Sequence, residues 1–250
     1  MEHEPRVTVV TGGAKGIGYG ISSAFARQGD TVIMFDIDRD ALDEATSRLT
    51  GDGATAIGIP VDVTQSEAVN RAVDTVARQF GRIDVLVNNA GVSRDTRITK
   101  MSDDDWDDII AINLRSQFLC CRAALQHMVE ARSGRIINIS SRAWLGNVGQ
   151  ANYSAAKGGV VSLTRSLALE WAKFGITVNA IAPGIIDTPL FQAYGDELKG
   201  RLQASVPAQR IGTPDDIAQT ALFFANSGSS YVTGQLIYVC GGRSLSSPTV

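Results

Sequence analysis

Seven short runs of apolar, mostly β-branched residues recur along the chain: RVTVVT at 6–11, TVIMFD at 31–36, TAIGIPV at 55–61, IDVLVNNA at 83–90, RIINIS at 135–140, ITVNAIAP at 176–183 and QLIYVC at 235–240. Their length and composition predict strands. They read as nearly continuous apolar runs, the pattern of strands covered on both faces. Between most of them lie segments with apolar residues at helical spacing. Strands alternating with helices predict βαβ units and a parallel sheet. The expected fold class is α/β: a single doubly wound domain over residues 1–250 with a seven-stranded parallel sheet. One stretch breaks the rhythm, GIIDTPLFQAYGDELKGRLQASVPAQRIG at 184–212. A long excursion between two strands is expected to be a substrate lid, at about 187–210. A surface helical insertion is the plainer alternative.

The polar positions carry signals of their own. The acidic run SDDDWDD at 102–108 could be mistaken for a metal site. A helix start explains it better, with Ser102 as the cap and carboxylates at the positive end of the helix dipole. The net charge of −3 leaves no basic excess to attract nucleic acid or an anionic membrane. No apolar run reaches the ~18 residues of a transmembrane helix. The opening MEHEPRVTVV lacks the basic and apolar regions of a signal peptide. Cys120 and Cys121 are adjacent and Cys240 leaves the count odd, so no disulfide framework is expected and a reducing cytoplasm fits. His3 and His127 are far apart, no Cys/His spacing matches zinc, and no metal is expected.

Candidate chemistry begins after the first strand, in TGGAKGIG, with Gly12, Gly16 and Gly18 leading into a small, apolar helical pattern. Glycines there permit a tight turn and let backbone N–H groups approach a pyrophosphate at a helix N-terminus. The second strand ends in Asp36, where a carboxylate can hold ribose hydroxyls. Alone, the glycines could serve an ordinary turn and the acid could be a polar strand end. Together they favour dinucleotide binding. Further on, GQANYSAAKGG places Tyr153 four residues before Lys157. On a helix these two share one face.

With TGGAKGIG, NNAG at 88–91, Asn113 and YSAAK at 153–157, the chain resembles the short-chain dehydrogenases/reductases over about residues 6–242. Asp62–Val63 and PGIIDT from Pro183 extend the likeness. The resemblance implies a Rossmann-type fold. It implies a coenzyme site built from Gly12, Lys15, Gly16, Ile17, Gly18, Asp36, Ile37, Asp62, Val63, Asn89, Ala90, Gly91, Pro183, Gly184, Ile186 and Thr188, with Tyr153 and Lys157. It also implies a catalytic set of Asn113, Ser141, Tyr153 and Lys157. Tyr153 is expected to be the general acid in ketone reduction and the base in alcohol oxidation. A neighbouring Lys157 cation should lower its pKa from the ordinary phenol range. In the family the lysine also binds the nicotinamide ribose, a serine stabilises charge on the substrate oxygen, and the asparagine holds a water that links the lysine to solvent. Counting thirteen residues back from Tyr153 selects Ser140. Keeping the register of the fifth strand selects Ser141 and makes the following loop one residue short. Loops absorb deletions, whereas a register slip turns a strand side chain to the wrong face. Ser141 is therefore preferred.

Within the family the chain is most similar to bacterial 3-oxoacyl-acyl-carrier-protein reductases. Two features depart from them. Arg132 is in place as a carrier-binding base on one side, but on the other Phe174 stands where a base is usual, with Lys173 beside it. Asp36 argues for NAD(H), although those enzymes normally use NADP(H) and Lys15 is the kind of base that accompanies it. The expected activity is an NAD-dependent interconversion of a secondary alcohol and a ketone, with a 3-oxoacyl-ACP or CoA thioester reductase as the alternative. A non-catalytic nucleotide sensor is a third reading, set against the retained proton-transfer residues. A pocket is expected near Arg94, Arg142, Trp144, Leu145, Val148, Gln150, Ile185, Leu190, Phe191 and Tyr194, fit for a medium-sized hydrophobic alcohol or ketone. The family also implies a homotetramer built on long helices at 103–130 and 153–173.

Overall fold

The computed structural model describes residues 5–245, so His3 lies outside it. Seven strands form one sheet: β1 (Val7–Thr11), β2 (Thr31–Asp36), β3 (Ala56–Pro60), β4 (Val85–Asn88), β5 (Gly134–Ile139), β6 (Ile176–Pro183) and β7 (Leu236–Val239). Their order is β3-β2-β1-β4-β5-β6-β7, and every pairing is parallel. The seven apolar runs thus became the seven strands, trimmed by a residue or more at most ends.

Among the described residues, nine α-helices wind around the sheet: α1 (Gly16–Arg27), α2 (Arg39–Gly51), α3 (Ser66–Phe80), α4 (Asp103–Ile110), α5 (Ser116–Ala131), α6 (Ala151–Trp171), α7 (Pro189–Gln192), α8 (Asp196–Ala204) and α9 (Pro214–Ala225). Alternate strand residues bury into opposite cores. Val10 and Met34 join Phe25 of α1, Leu42 of α2 and Phe224 of α9 on one side. Val9 and Ile33 join Val73 of α3 and Leu119 and Met128 of α5 on the other. Two covered faces account for strands without polar alternation. The first stretch of chain fills β1 to β3 on one side of the sheet and then crosses to β4 on the other. Ligands of such folds bind at this reversal, beyond the carboxyl ends of the strands.

Two helical expectations change in detail. The helix expected at 103–130 is interrupted: α4 passes into a π-helical turn, Ala111–Arg115, before α5 begins. Its start is as the acidic run implied, with Ser102 and Asp105 forming a reciprocal capping box. The helix expected at 153–173 begins two residues earlier, at Ala151, and ends in a 3₁₀ turn, Ala172–Phe174. The excursion at 184–212 holds α7 and α8 and closes on a bridge between Ile186 and Gly212. No helix of the described residues is long and apolar enough to cross a membrane. All three cysteines are buried and unpaired.

Candidate active site

A cavity of about 980 Å³ runs along the carboxyl ends of the strands, from the glycine loop to the 184–212 excursion. At one end, Gly12 and Gly16 turn the chain with positive φ of 59° and 52°. Gly18 packs under this turn. A Cβ there would sit 1.8 Å from the Gly12 carbonyl oxygen, so only glycine fits. Gly18 thus shapes the loop without lining the cavity. Asn89 fastens the loop to β4: its side-chain amide donates to the carbonyls of Thr11 and Gly12 at 3.1 and 3.0 Å. Thr11 Oγ1 accepts from the amides of Asn89 and Ala90 in return.

The fit of a dinucleotide can be tested on these residues. α1 starts at the cavity with no side-chain cap and no acidic residue in its first turn, leaving its amide donors to an anion. A Cβ at Gly16 would find nothing closer than Thr188 Cγ2 at 3.5 Å, so the loop is open above it. Asp36 projects from β2 into the same space and accepts from the amides of Ala14 and Asp38 at 3.3 and 3.2 Å. Asp62, Val63, Ala90, Gly91, Ile37 and Ile186 line the wall. Amide donors near a pyrophosphate's position and a carboxylate near a ribose's suit the group the fold implies. Lys15 does not reach into this space unaccompanied: its ammonium pairs with Asp38 at 2.6 Å, which raises the Lys15 pKa and lowers that of Asp38.

At the centre of the cavity, α6 presents Tyr153 and Lys157. Asn152 fixes the start of this helix by accepting from the Tyr153 amide at 2.8 Å and donating to the Asp105 carbonyl at 3.0 Å. Lys157 is almost fully buried, at 2% exposure. Its ammonium donates to the Ile139 carbonyl at 2.9 Å and lies 5.6 Å from the centre of the Tyr153 ring. Burial pushes its pKa down to about 7. The π-helical turn carries Asn113, which is fully buried. Its amide donates to the carbonyls of Val92 and Ile109, while Oδ1 is buried without a partner among the described residues. A Cβ on Gly91 would meet that Oδ1 at 2.6 Å and the Lys157 ammonium at 3.3 Å. The glycine of NNAG lets these two groups converge.

The two serines separate clearly. Ser140 is buried and donates to the Lys157 carbonyl at 2.9 Å. Ser141 is hydrogen-bonded to Tyr153, and its Oγ accepts from the Ala143 amide at 3.1 Å. Of the pair, Ser141 is the one beside the phenol. The Tyr153 pKa is raised, contrary to the expectation from Lys157. Desolvation raises it, the Ser141 hydrogen bond opposes this, and the charge of Asp95 adds to it. Lys157 is not among the causes of the shift, and burial drives it toward neutrality itself.

Of the residues expected in the substrate pocket, Arg142, Gln150, Ile185, Leu190, Phe191 and Tyr194 line the cavity. Arg94 and Trp144 do not. Arg94 is exposed and pairs with Asp105 and Asp108 at 2.9 and 3.2 Å. Trp144 turns away to stack on Tyr238, with ring centres 6.5 Å apart. Leu145 and Val148 also lie outside the lining, largely exposed. Sequence reasoning missed Arg243, which reaches the cavity from beyond β7, and Asp38, whose partnership with Lys15 a sequence offers no sign of. It also missed a chain of buried amides from β4 to α6: Asn88 donates to Asn138, and Asn138 to Thr164, each at 2.9 Å.

Comparison with known proteins extends this picture. A family model described as enoyl-(acyl carrier protein) reductase matches residues 12–244. The (2S)-[(R)-hydroxy(phenyl)methyl]succinyl-CoA dehydrogenase subunit BbsD of Thauera aromatica is 46% identical, over 98% of this chain and 99% of that protein. The 3-oxoacyl-[acyl-carrier-protein] reductase FabG of Chlamydia muridarum is 41% identical, over 95% of this chain and 96% of the reductase. The solved structure of gox2181 superimposes with a TM-score of 0.94 at 35% identity, covering 98% of this chain and 97% of its own.

Proposed function

The chain belongs to the short-chain dehydrogenase/reductase family of oxidoreductases, which use a nicotinamide coenzyme, and from that premise we propose that it interconverts a secondary alcohol and a ketone on an acyl thioester, using NAD(H). The observation that carries this reading is the contact of Ser141 with Tyr153 inside the cavity that also holds the glycine loop and Asp36. The narrowing from any hydrophobic alcohol to a thioester comes from the relatives, which are named for CoA-linked and carrier-linked acyl groups.

The coenzyme, when bound, supplies or accepts the hydride at the carbinol carbon. The chain's own residues handle the proton. In reduction, Tyr153 gives its phenolic proton to the substrate oxygen, and in oxidation it takes that proton back. The raised pKa keeps Tyr153 protonated before substrate arrives, the form that reduction needs. Ser141 donates to the same oxygen and stabilises charge that develops there. The Ala143 amide already occupies one acceptor position of Ser141, which leaves its hydroxyl proton to be given away. The Lys157 ammonium lies 5.6 Å from the ring centre, near enough for a returning positive charge to stabilise phenolate.

Coenzyme A is favoured as the thiol carrier over a carrier protein. Arg132 stacks on Phe174 at 5.7 Å and donates to the Lys173 carbonyl at 3.2 Å, so this rim is engaged with itself. NAD(H) is favoured because Asp36 faces the ribose position and Lys15 is held by Asp38. The test is a panel of a 3-oxoacyl-CoA, the same acyl group on acyl-carrier protein, and a simple ketone, each with NADH and NADPH. The CoA thioester with NADH should give the highest kcat/KM. A carrier-linked substrate that works best with NADPH, or a simple ketone that matches the thioesters, would overturn the proposal.

A further inference from the structure

α5 begins directly after the π-helical turn, and its second residue is out of character with its neighbours. Gln117 is 1% exposed, on a helix whose other buried positions are mostly leucine, alanine and cysteine. Its Nε2 donates to the Ile139 carbonyl at 3.2 Å, and its Oε1 is buried without a partner among the described residues. An unpaired buried acceptor costs stability, and a methionine of similar shape would bring none.

The carbonyl that Gln117 holds is the one Lys157 holds. The Lys157 ammonium donates to it at 2.9 Å, and a carbonyl oxygen has two lone pairs, so it accepts from both side chains. Ile139 closes β5, two residues before Ser141. One oxygen therefore ties α5 and α6 to the end of the strand that leads to the serine. Ile139 and Lys157 line the cavity and Gln117 does not, so the amide acts from behind the wall.

The second donor changes what Lys157 is free to do. With the lysine alone on this carbonyl, any turn of the ammonium away from it would strand a buried acceptor. With Gln117 in place, the oxygen stays paired when the lysine leaves. A neutral amide is the suitable group for this. A carboxylate could not donate to the carbonyl, and a second cation would disfavour the charged lysine.

We propose that Gln117 is a positioning residue for Lys157: it keeps the Ile139 carbonyl paired, so that the lysine can turn from that carbonyl to a bound coenzyme and to Tyr153. This rests on the proton-transfer reading above and not on which thioester is reduced.

The experiment is a double-mutant cycle on coenzyme affinity with wild type, Gln117→Met, Lys157→Met and the double variant. NADH and NADPH are titrated by fluorescence without substrate, and the one that wild type binds more tightly is followed. Gln117→Met is expected to weaken binding by about three- to tenfold, the scale of one weakened hydrogen bond. In the Lys157→Met background the same substitution should change affinity by less than about twofold, because the group it acts through is gone. Urea unfolding should give Gln117→Met a midpoint no lower than that of wild type, since an unpaired acceptor leaves with the amide. With the thioester of highest kcat/KM, kcat should fall about tenfold while the substrate KM stays within about threefold. Coenzyme affinity and kcat both within about twofold of wild type overturn the proposal, and so do equal losses of affinity in the two backgrounds, which would make Gln117 a packing residue. If Gln117→Met does not fold, Gln117→Leu takes its place in the cycle. If no thioester is turned over, the substrate reading fails while the coenzyme cycle still decides the role of Gln117.

Discussion

Replacing Lys157 by Met should make the stability difference from wild type depend strongly on pH. The lysine is 2% exposed, and burial lowers its pKa from 10.5 to about 7. Below about pH 7 it is protonated in folded and unfolded chains alike, so the full cost of burying the charge is present. Between the two pKa values the unfolded chain binds a proton that the folded chain does not. Wild-type stability therefore rises with pH across that window, by up to about 1.4 kcal/mol per unit. The contribution is complete above the unfolded value and lost as pH falls through the folded one. From about pH 6 to about pH 9 the gain is about 2–3 kcal/mol, most of it above pH 7. Met matches the stem and carries no proton. The Ile139 carbonyl keeps a second donor in Gln117 at 3.2 Å, so the variant leaves no new orphan there. Urea unfolding of both proteins at the two pH values gives the difference directly, and other titrating groups, such as the buried thiols, cancel in it. A gap that is constant within about 0.5 kcal/mol would refute the claim that Lys157 is driven toward neutrality by burial.

Three further outcomes follow from the site. Tyr153→Phe should lose about 10²–10⁴-fold in turnover with coenzyme affinity nearly unchanged, measured by steady-state kinetics and coenzyme titration; activity within about tenfold of wild type would remove Tyr153 as the proton donor. Ser141→Ala should cost about 10²-fold or more in kcat, whereas Ser140→Ala should mainly cost about 1 kcal/mol of stability through its lost bond to the Lys157 carbonyl, and the reverse ranking would reassign the serine. Asp36→Ala should shrink or reverse an NADH preference of about ten- to a thousandfold in kcat/KM, because the carboxylate no longer opposes a 2′-phosphate; an unchanged ratio would show that Asp36 does not read the ribose.

The sheet was legible because both its faces are buried. Apolar runs such as TVIMFD leave no alternative partner for their side chains than a covered sheet, and the cap at Ser102 follows from local chemistry alone. The glycine loop was legible for a similar reason: at Gly18 the neighbouring Gly12 carbonyl excludes any side chain. What sequence could not supply was direction. Trp144 and Arg142 are two residues apart, yet the 3₁₀ turn sends one to stack on Tyr238 and the other into the cavity. Arg94 sits in a cavity-facing loop but finds Asp105 and Asp108 on α4 closer than any substrate. Arg243 comes into play because β7 delivers the tail beside Arg142, 101 residues away along the chain.

The least legible part is also where local rules are broken, and the breaks share a location. α4 and α5 would form one regular helix but for the π-helical turn that holds Asn113. Such turns are rare and recur at functional sites. Asn113 Oδ1 is buried without a partner among the described residues, which costs stability. Lys157 is buried with one hydrogen bond from its ammonium and no carboxylate among the causes of its pKa shift. Both point at Gly91, whose lack of a side chain is what lets them come so close. Each feature alone could be a packing compromise. Together they place an under-satisfied acceptor and an under-satisfied donor at Gly91, the donor 5.6 Å from the centre of the Tyr153 ring. A fold selected only for stability would replace Lys157 with an apolar side chain and straighten the helix. Keeping both fits a centre in which Lys157 can regain its proton as Tyr153 gives one up.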